Sequence, residues 1–270
     1  MRAIYAPTGR AREYAALAAN LFTGCPNGCL YCYAPGVLRR SREKFHSDVR
    51  ARPGILEALR RQAPKYAGDR RRVMLCFTCD PFPSCRLAER VTIPALEILQ
   101  TNSVMANLLT KNPFLATGLL AGAKGLNLQD LRLGVSLSMD VEKSRRRWEP
   151  RAESVADRME AIEVWRRWGG KAWISVEPVI YPLQALHVLR RAGPLVDHVK
   201  VGAVSGQGEV FGSFDWTAFY LAARKILITL GASFYLKRDL CLAAGVPADD
   251  VHQFGSVQAA ARARTEGWCQ

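Results

Sequence analysis

The chain has 270 residues, 49% of them hydrophobic, with a formal net charge of +14 and a pI near 9.7. That length and apolar content suit one α/β domain with a sizeable core, and they exclude global disorder. No apolar run reaches the roughly 18–20 residues of a membrane helix, and MRAIYAPTGRAREYAAL at the start lacks the apolar stretch of a secretory leader, so a cytoplasmic protein without membrane contact is expected.

Short apolar or β-branched runs alternate with longer amphipathic stretches along the chain. Strands are predicted at 18–24, 72–78, 104–110, 131–138, 171–177, 197–203 and 232–237. Helices are predicted between them, at 53–66, 87–101, 114–123, 154–168, 183–192 and 215–229. The helix at 154–168 is the best marked: Ser154 can cap it, Val155, Met159 and Ile162 form an apolar stripe, and Gly169 and Gly170 end it. The alternation implies a parallel sheet with right-handed crossovers. Six or seven such units make a partial (β/α)6-type TIM barrel. The whole of 1–270 reads as a single domain with a short N-terminal lead-in. Residues 36–52 are a basic connection with helical pieces, and 238–267 are a polar extension of helix and loop.

Six of the eight cysteines fall in two clusters, Cys25, Cys29, Cys32 and Cys76, Cys79, Cys85; Cys241 and Cys269 stand alone. In a soluble chain such clusters point to metal or redox chemistry and away from disulfides. The first cluster, in NLFTGCPNGCLYCYAP at 20–35, has the spacing Cys-x3-Cys-x2-Cys directly after a predicted strand. Loops after strands gather at the C-terminal face of a barrel, where chemistry is built. Thiolates are soft ligands for zinc or iron–sulfur sites, and Pro26, Asn27 and Gly28 favour the tight turn that would bring the sulfurs together. Three thiolates on a four-iron cluster leave one iron open to a ligand. The alternative is a zinc site closed by a fourth ligand such as His46.

This loop resembles the signature of the radical S-adenosylmethionine (SAM) superfamily, CxxxCxΦC with Φ aromatic, here Tyr31. The resemblance implies a 4Fe–4S cluster on Cys25, Cys29 and Cys32, SAM bound at the open iron, and reductive cleavage of SAM to a 5′-deoxyadenosyl radical. It also implies that Tyr31 neighbours the SAM adenine. CFTCDP at 76–81, LLTKN at 108–112, GVSLS at 134–138 and WEPRAESVADRMEAI at 148–162 resemble the spore photoproduct lyase branch in order and spacing. The chain would then be a radical SAM core domain with lyase-like chemistry, served by an electron donor such as flavodoxin or ferredoxin.

On that resemblance Lys111 holds the SAM carboxylate, for which an ammonium ending a strand is chemically apt, and Ser136 contacts SAM. Ser138 lies two residues on, so it shares a strand face with Ser136. Ser175 and Glu177 end another strand and are candidates for the SAM ribose or the substrate; Lys200 and Lys237 are candidates for the same cavity. Glu149 and Arg158 read as a salt bridge beside a helix start. Tyr33 matches a tyrosine of the lyase's radical relay. The lyase's hydrogen-donating cysteine does not align, because Phe77 falls at its position between Cys76 and Cys79. Cys79 is kept as the relay candidate, and strand alternation places only one of Cys76 and Cys79 in the cavity. A second cluster on Cys76, Cys79 and Cys85 is a further alternative. The lyase's C-terminal β-hairpin also has no counterpart in the polar residues 238–267.

The basic runs Arg39, Arg40, Arg42, Lys44 and Lys143, Arg145, Arg146, Arg147 suit phosphate contacts, so a nucleic-acid substrate is the leading expectation. A peptide or small metabolite as substrate is one alternative. A zinc-stabilised nucleic-acid-binding module without catalysis is the other.

Overall fold

The computed structural model describes residues 1–204 and 214–247, and the backbone of 252–254. Ten strands occur among the described residues: β1 (Leu17–Ala19), β2 (Phe22–Thr23), β3 (Arg50–Ala51), β4 (Val73–Leu75), β5 (Ala106–Thr110), β6 (Leu131–Ser136), β7 (Lys171–Val179), β8 (His198–Ala203), β9 (Ser233–Leu236) and β10 (His252–Phe254). The α-helices are α1 (Ala34–Val37), α2 (Arg42–Ser47), α3 (Ile55–Gln62), α4 (Cys85–Leu87), α5 (Ile93–Thr101), α6 (Pro113–Gly122), α7 (Glu142–Trp148), α8 (Val155–Arg167), α9 (Pro182–Ala192), α10 (Trp216–Thr229) and α11 (Arg238–Ala243). The main sheet runs β1-β4-β5-β6-β7-β8-β9-β10. Its first seven strands are parallel and β10 joins antiparallel to β9. The sheet is open, with β1 and β10 at its edges.

Alternation along the strands decides what each face carries. Leu131, Leu133 and Val135, Ala172, Ile174 and Val176, and Val199 and Val201 are buried in the main core cluster, which includes residues of α3, α5, α6, α8, α9 and α10. The intervening residues of the same strands, Gly134 and Ser136, Trp173, Ser175 and Glu177, and Lys200, therefore share the opposite face. Gly134 is glycine for a steric reason: a Cβ there would lie 2.2 Å from the Trp173 ring and 2.5 Å from the Leu108 carbonyl oxygen. Trp173 joins Ala15 and Met74 in a small cluster on this inner face, with Tyr14 and Phe77 packed against it. The N-terminal lead-in thus fills the floor of the concave face.

Helix α8 forms as its sequence predicts. Ser154 and Asp157 make a reciprocal capping box of 3.1 and 3.2 Å, and Gly169, at φ +76°, follows its end. Three expectations are corrected. The strand predicted at 18–24 is broken after Ala19, because Phe22 and Thr23 pair instead with Ala51 and Arg50 in a separate ribbon. The strand predicted at 72–78 stops at Leu75, where Cys76 turns left-handed at φ +71°. The C-terminal extension includes a strand, β10, as well as α11. Residues 248–251 and 255–267 of that extension, and Cys269, lie outside the described residues. No described helix is long and apolar enough to cross a membrane.

Candidate active site

The cysteine loop leaves β2 and returns through α1 and α2 to β3, so the β2–β3 ribbon closes its base. Gly24, at φ +79°, makes the first turn; a Cβ there would sit 2.4 Å from the Asp48 carbonyl oxygen. Cys25 N–H donates to the Phe45 carbonyl at 3.1 Å, and the His46 ring nitrogen Nδ1 lies 2.8 Å from the Cys25 carbonyl. The Arg42 guanidinium donates to the carbonyls of Cys29 at 3.2 Å and Cys32 at 3.0 Å. From the other side, Leu30 N–H donates to the Trp148 carbonyl and Arg151 N–H to the Asn27 carbonyl. The backbone of the loop is therefore fixed from two sides by segments distant in sequence. Cys25, Cys29 and Cys32 are all free thiols; Cys29 is buried and the other two are partly exposed.

Segment 148–158 also fixes Lys111. Glu149 is 1% exposed and pairs with Arg158, itself 1% exposed, at 2.6 Å. It accepts a hydrogen bond from the Tyr31 hydroxyl and lies 3.9 Å from the Lys111 ammonium. The same ammonium lies 5.7 Å from the centre of the Tyr31 ring. Burial opposes the charge on Lys111, but Glu149, Cys29 and Asp80 together outweigh it and raise the Lys111 pKa. Burial likewise works against ionised Glu149; Arg158 and Lys111 overcome it and hold the carboxyl below its usual range. Asp80 is a hub sequence reasoning did not single out. It accepts from Asn27 Nδ2 (2.9 Å), Phe82 N–H (2.9 Å), Thr110 Oγ1 (2.6 Å) and Lys111 N–H (2.8 Å), tying the cysteine loop to the ends of β4 and β5.

The opposite wall gathers the other sequence candidates. Ser175 Oγ lies 2.8 Å from the Tyr14 hydroxyl, which also donates to Glu177. Lys237 donates to both Glu177 oxygens at 2.8 Å. Lys200 is buried and donates to the Glu13 carbonyl at 2.6 Å beneath the rings of Tyr14, Trp173 and Tyr235. Burial, with repulsion from Lys237, pulls Lys200 down to about 7. Ser136 and Ser138 are buried, and the Ser138 hydroxyl has no hydrogen-bond partner among the described residues. Tyr14 and Glu13, which organise this wall, lie in a lead-in with no motif; nothing in the sequence marked them.

Tyr33 is 59% exposed and donates to the Phe77 carbonyl at 2.7 Å. Cys76 and Cys79 lie in one loop, where Cys76 is buried and Cys79 is partly exposed. The strand ends at Leu75, so the two thiols sit in the loop beyond it, Cys76 inside the main core cluster and Cys79 packed against that cluster. Cys85 is exposed on α4 and donates to Glu89 at 3.4 Å. The basic runs are thinner than they read. Arg145 is buried, donating to the carbonyls of Glu149, Pro150 and Ala152; Arg40 pairs with Asp48 and Arg42 is spent on the cysteine loop. Arg39, Lys44, Lys143, Arg146 and Arg147 are exposed.

Among the described residues no three His, Cys, Asp or Glu side chains converge as a single metal ion requires. His46 is turned with Nδ1 to the Cys25 carbonyl. A polynuclear cluster distributes its thiolates over separate irons and asks for no such convergence. The donor set fits one: three free thiols on a braced loop, with Lys111 near Cys29. Burial pushes the Cys29 thiol up to about 12 while Lys111 works to lower it. A coordinating metal deprotonates such a thiol outright.

Spore photoproduct lyase complexed with dinucleoside spore photoproduct matches with a TM-score of 0.64 at 16% identity, over 86% of this chain and 79% of that one. The fold is that of the radical SAM enzymes. A variant of the lyase with bound AdoMet and the same dinucleoside matches with a TM-score of 0.63 at 16% identity, over 86% and 78%. SuiB from Streptococcus suis, bound to S-adenosylmethionine, matches with a TM-score of 0.57 at 15% identity, over 84% of this chain and 51% of that one. Neither a family model nor a curated protein matches the chain.

Proposed function

We propose that this chain is a radical SAM enzyme that holds a 4Fe–4S cluster on Cys25, Cys29 and Cys32 and acts on nucleic acid. The observation that carries the reading is the braced three-thiol loop with the Lys111 ammonium beside it, set in a sheet of the radical SAM kind. When bound, the reduced cluster and SAM supply a 5′-deoxyadenosyl radical. The chain's own residues bind and orient. Lys111 offers a fixed cation to the SAM carboxylate. Tyr31, its hydroxyl held by Glu149, presents its ring as a wall for the adenine. Ser136, Ser138, Ser175 and Glu177 line the inner face as donors and acceptors for the remainder of SAM and the substrate. Cys79 is kept as a hydrogen donor, with Tyr33 nearby as a relay.

The net charge of +14 and the exposed Arg39, Lys44, Lys143 and Arg147 support a polyanionic substrate. The activity is expected to depend on an electron donor of the flavodoxin or ferredoxin type. The chain lacks any described membrane-crossing helix, and a cytoplasmic site of action belongs to the same proposal.

The test is anaerobic incubation with SAM, dithionite and labelled DNA or RNA. Cys29→Ala is expected to lose cluster absorbance and all 5′-deoxyadenosine formation; persistence of either rejects the ligand assignment. Nucleic-acid binding is expected to weaken steeply with salt. Label transfer from a peptide or small metabolite, with no salt-dependent nucleic-acid binding, would overturn the substrate class.

A further inference from the structure

Cys76-Phe77-Thr78-Cys79 is a CxxC segment at the C-terminal end of β4, and the chain bends at 77–79. Cys76 adopts φ +71°, a conformation that suits glycine and strains a residue with a β-carbon. The residue standing there is nonetheless a thiol, 6% exposed. Backbone strain of this sort is tolerated where the surroundings enforce it, and it directs attention to what the side chain does. Here the bend sets Cys79 against the core cluster that holds Cys76, and burial, with Cys76 beside it, pushes the Cys79 thiol up.

The loop is held at several points. Cys76 N–H donates to the Ala19 carbonyl at 3.0 Å, and the Asn20 side chain accepts from Phe77 N–H at 2.8 Å and Thr78 N–H at 3.2 Å. Asp80 anchors the next position, accepting from Asn27 and Thr110. Both thiols are free, and Cys79 is partly exposed. Its charge would be felt by Cys25 of the cysteine loop and by Tyr33. Cys85, bonded to Glu89 on exposed α4, is engaged elsewhere.

We infer that Cys76 and Cys79 form a redox-active dithiol that closes reversibly to a disulfide beside the cysteine loop. The inference goes beyond the radical reading; only its consequence for hydrogen donation and the cluster control in the test rest on that reading. In the exchange with a small disulfide, a thiolate of the pair attacks one sulfur and expels a small thiolate. The second thiol, losing its proton, displaces the other. One protein S–S bond forms, the reagent's S–S bond breaks, the pair loses two electrons and two protons, and two small thiols are released. Burial favours the protonated form of Cys79, so closure is slow at neutral pH and is followed to equilibrium. The open pair retains its thiol hydrogens; the closed pair has none to give, so closure would switch off hydrogen donation from Cys79.

The test uses the cluster-loaded protein, incubated anaerobically at mildly alkaline pH with bis(2-hydroxyethyl) disulfide and then quenched with N-ethylmaleimide. Trypsin releases peptide 73–86, which carries Cys76, Cys79 and Cys85. In a Cys85→Ser chain this peptide is expected to lose two hydrogens and take up no maleimide, with the internal disulfide exceeding the mixed disulfide by roughly tenfold. Cluster absorbance should be unchanged, which separates this result from loss of the cluster. Fragmentation of the same peptide from the unsubstituted chain should show closure between Cys76 and Cys79, independently of any effect of the serine. A Cys79→Ser chain should stop at a mixed disulfide or a free thiol. Two maleimides on the peptide, a persistent mixed disulfide, or closure onto Cys85 would overturn the inference.

Discussion

Glu149 and Glu177 are carboxylates on opposite sides of the concave face, and each is gripped by a tyrosine hydroxyl and a cation. They differ in how far along the chain their partners come from and in how deeply they are buried. Glu149 is 1% exposed and takes Arg158 from the start of the next helix, with Lys111 and Tyr31 from the loops it braces. Glu177 is 18% exposed and draws on Tyr14, 163 positions earlier, and Lys237, 60 positions later. The first arrangement is a sealed brace that the cysteine loop leans on. The second is a wetter wall assembled when the N-terminal lead-in docks. Burial therefore divides them: the charge in the brace has no access to water if a partner leaves, and the charge in the wall does.

Three substitutions sharpen or break that contrast. Arg158→Met leaves Glu149 buried with the Tyr31 hydroxyl and the more distant Lys111 as its only cation, and should lower unfolding free energy by about 3–5 kcal/mol, read from urea titration. Lys237→Met leaves Glu177 partly solvated and should cost less, about 1–3 kcal/mol. Equal losses would erase the distinction. The smallest effect is on pH dependence. The folded chain holds Lys200 at about 7 against an ordinary value of 10.5. Between those values the unfolded chain binds a proton that the folded chain does not, so this residue makes stability rise with pH. Below about 7 both states are protonated and the full penalty for burying the charge persists. Lys200→Met should flatten the rise between pH 7 and 10 in urea midpoints; an unaltered slope would show that Lys200 is not the group responsible.

The same contrast explains what could be read from the sequence. The parallel sheet, helix α8 and the cysteine loop are written in local patterns: alternation along strands, Ser154 before an apolar stripe, three cysteines within eight residues. Lys111 could be found because LLTKN at 108–112 resembles the lyase branch and puts the lysine at the end of an apolar strand run. Glu149 and Arg158 were legible as a pair, being close in sequence, but not as a support for Tyr31 and Lys111. Tyr14 and Glu13 were invisible, since docking of a lead-in depends on contacts across most of the chain. The strand predicted at 72–78 was too long for a related reason: alternation runs only to Leu75, where a left-handed residue ends the strand. Arg42 and Arg145 looked like surface charge, and only tertiary structure shows them donating to loop carbonyls.

The most direct test is electron paramagnetic resonance of the anaerobically reconstituted, dithionite-reduced protein, titrated with SAM, alongside Lys111→Ala. The three-thiol site predicts a reduced 4Fe–4S signal that changes shape as SAM binds, with the variant needing about 10–100-fold more SAM for the same change. A protein with no such cluster, or a cluster signal indifferent to SAM, would contradict it.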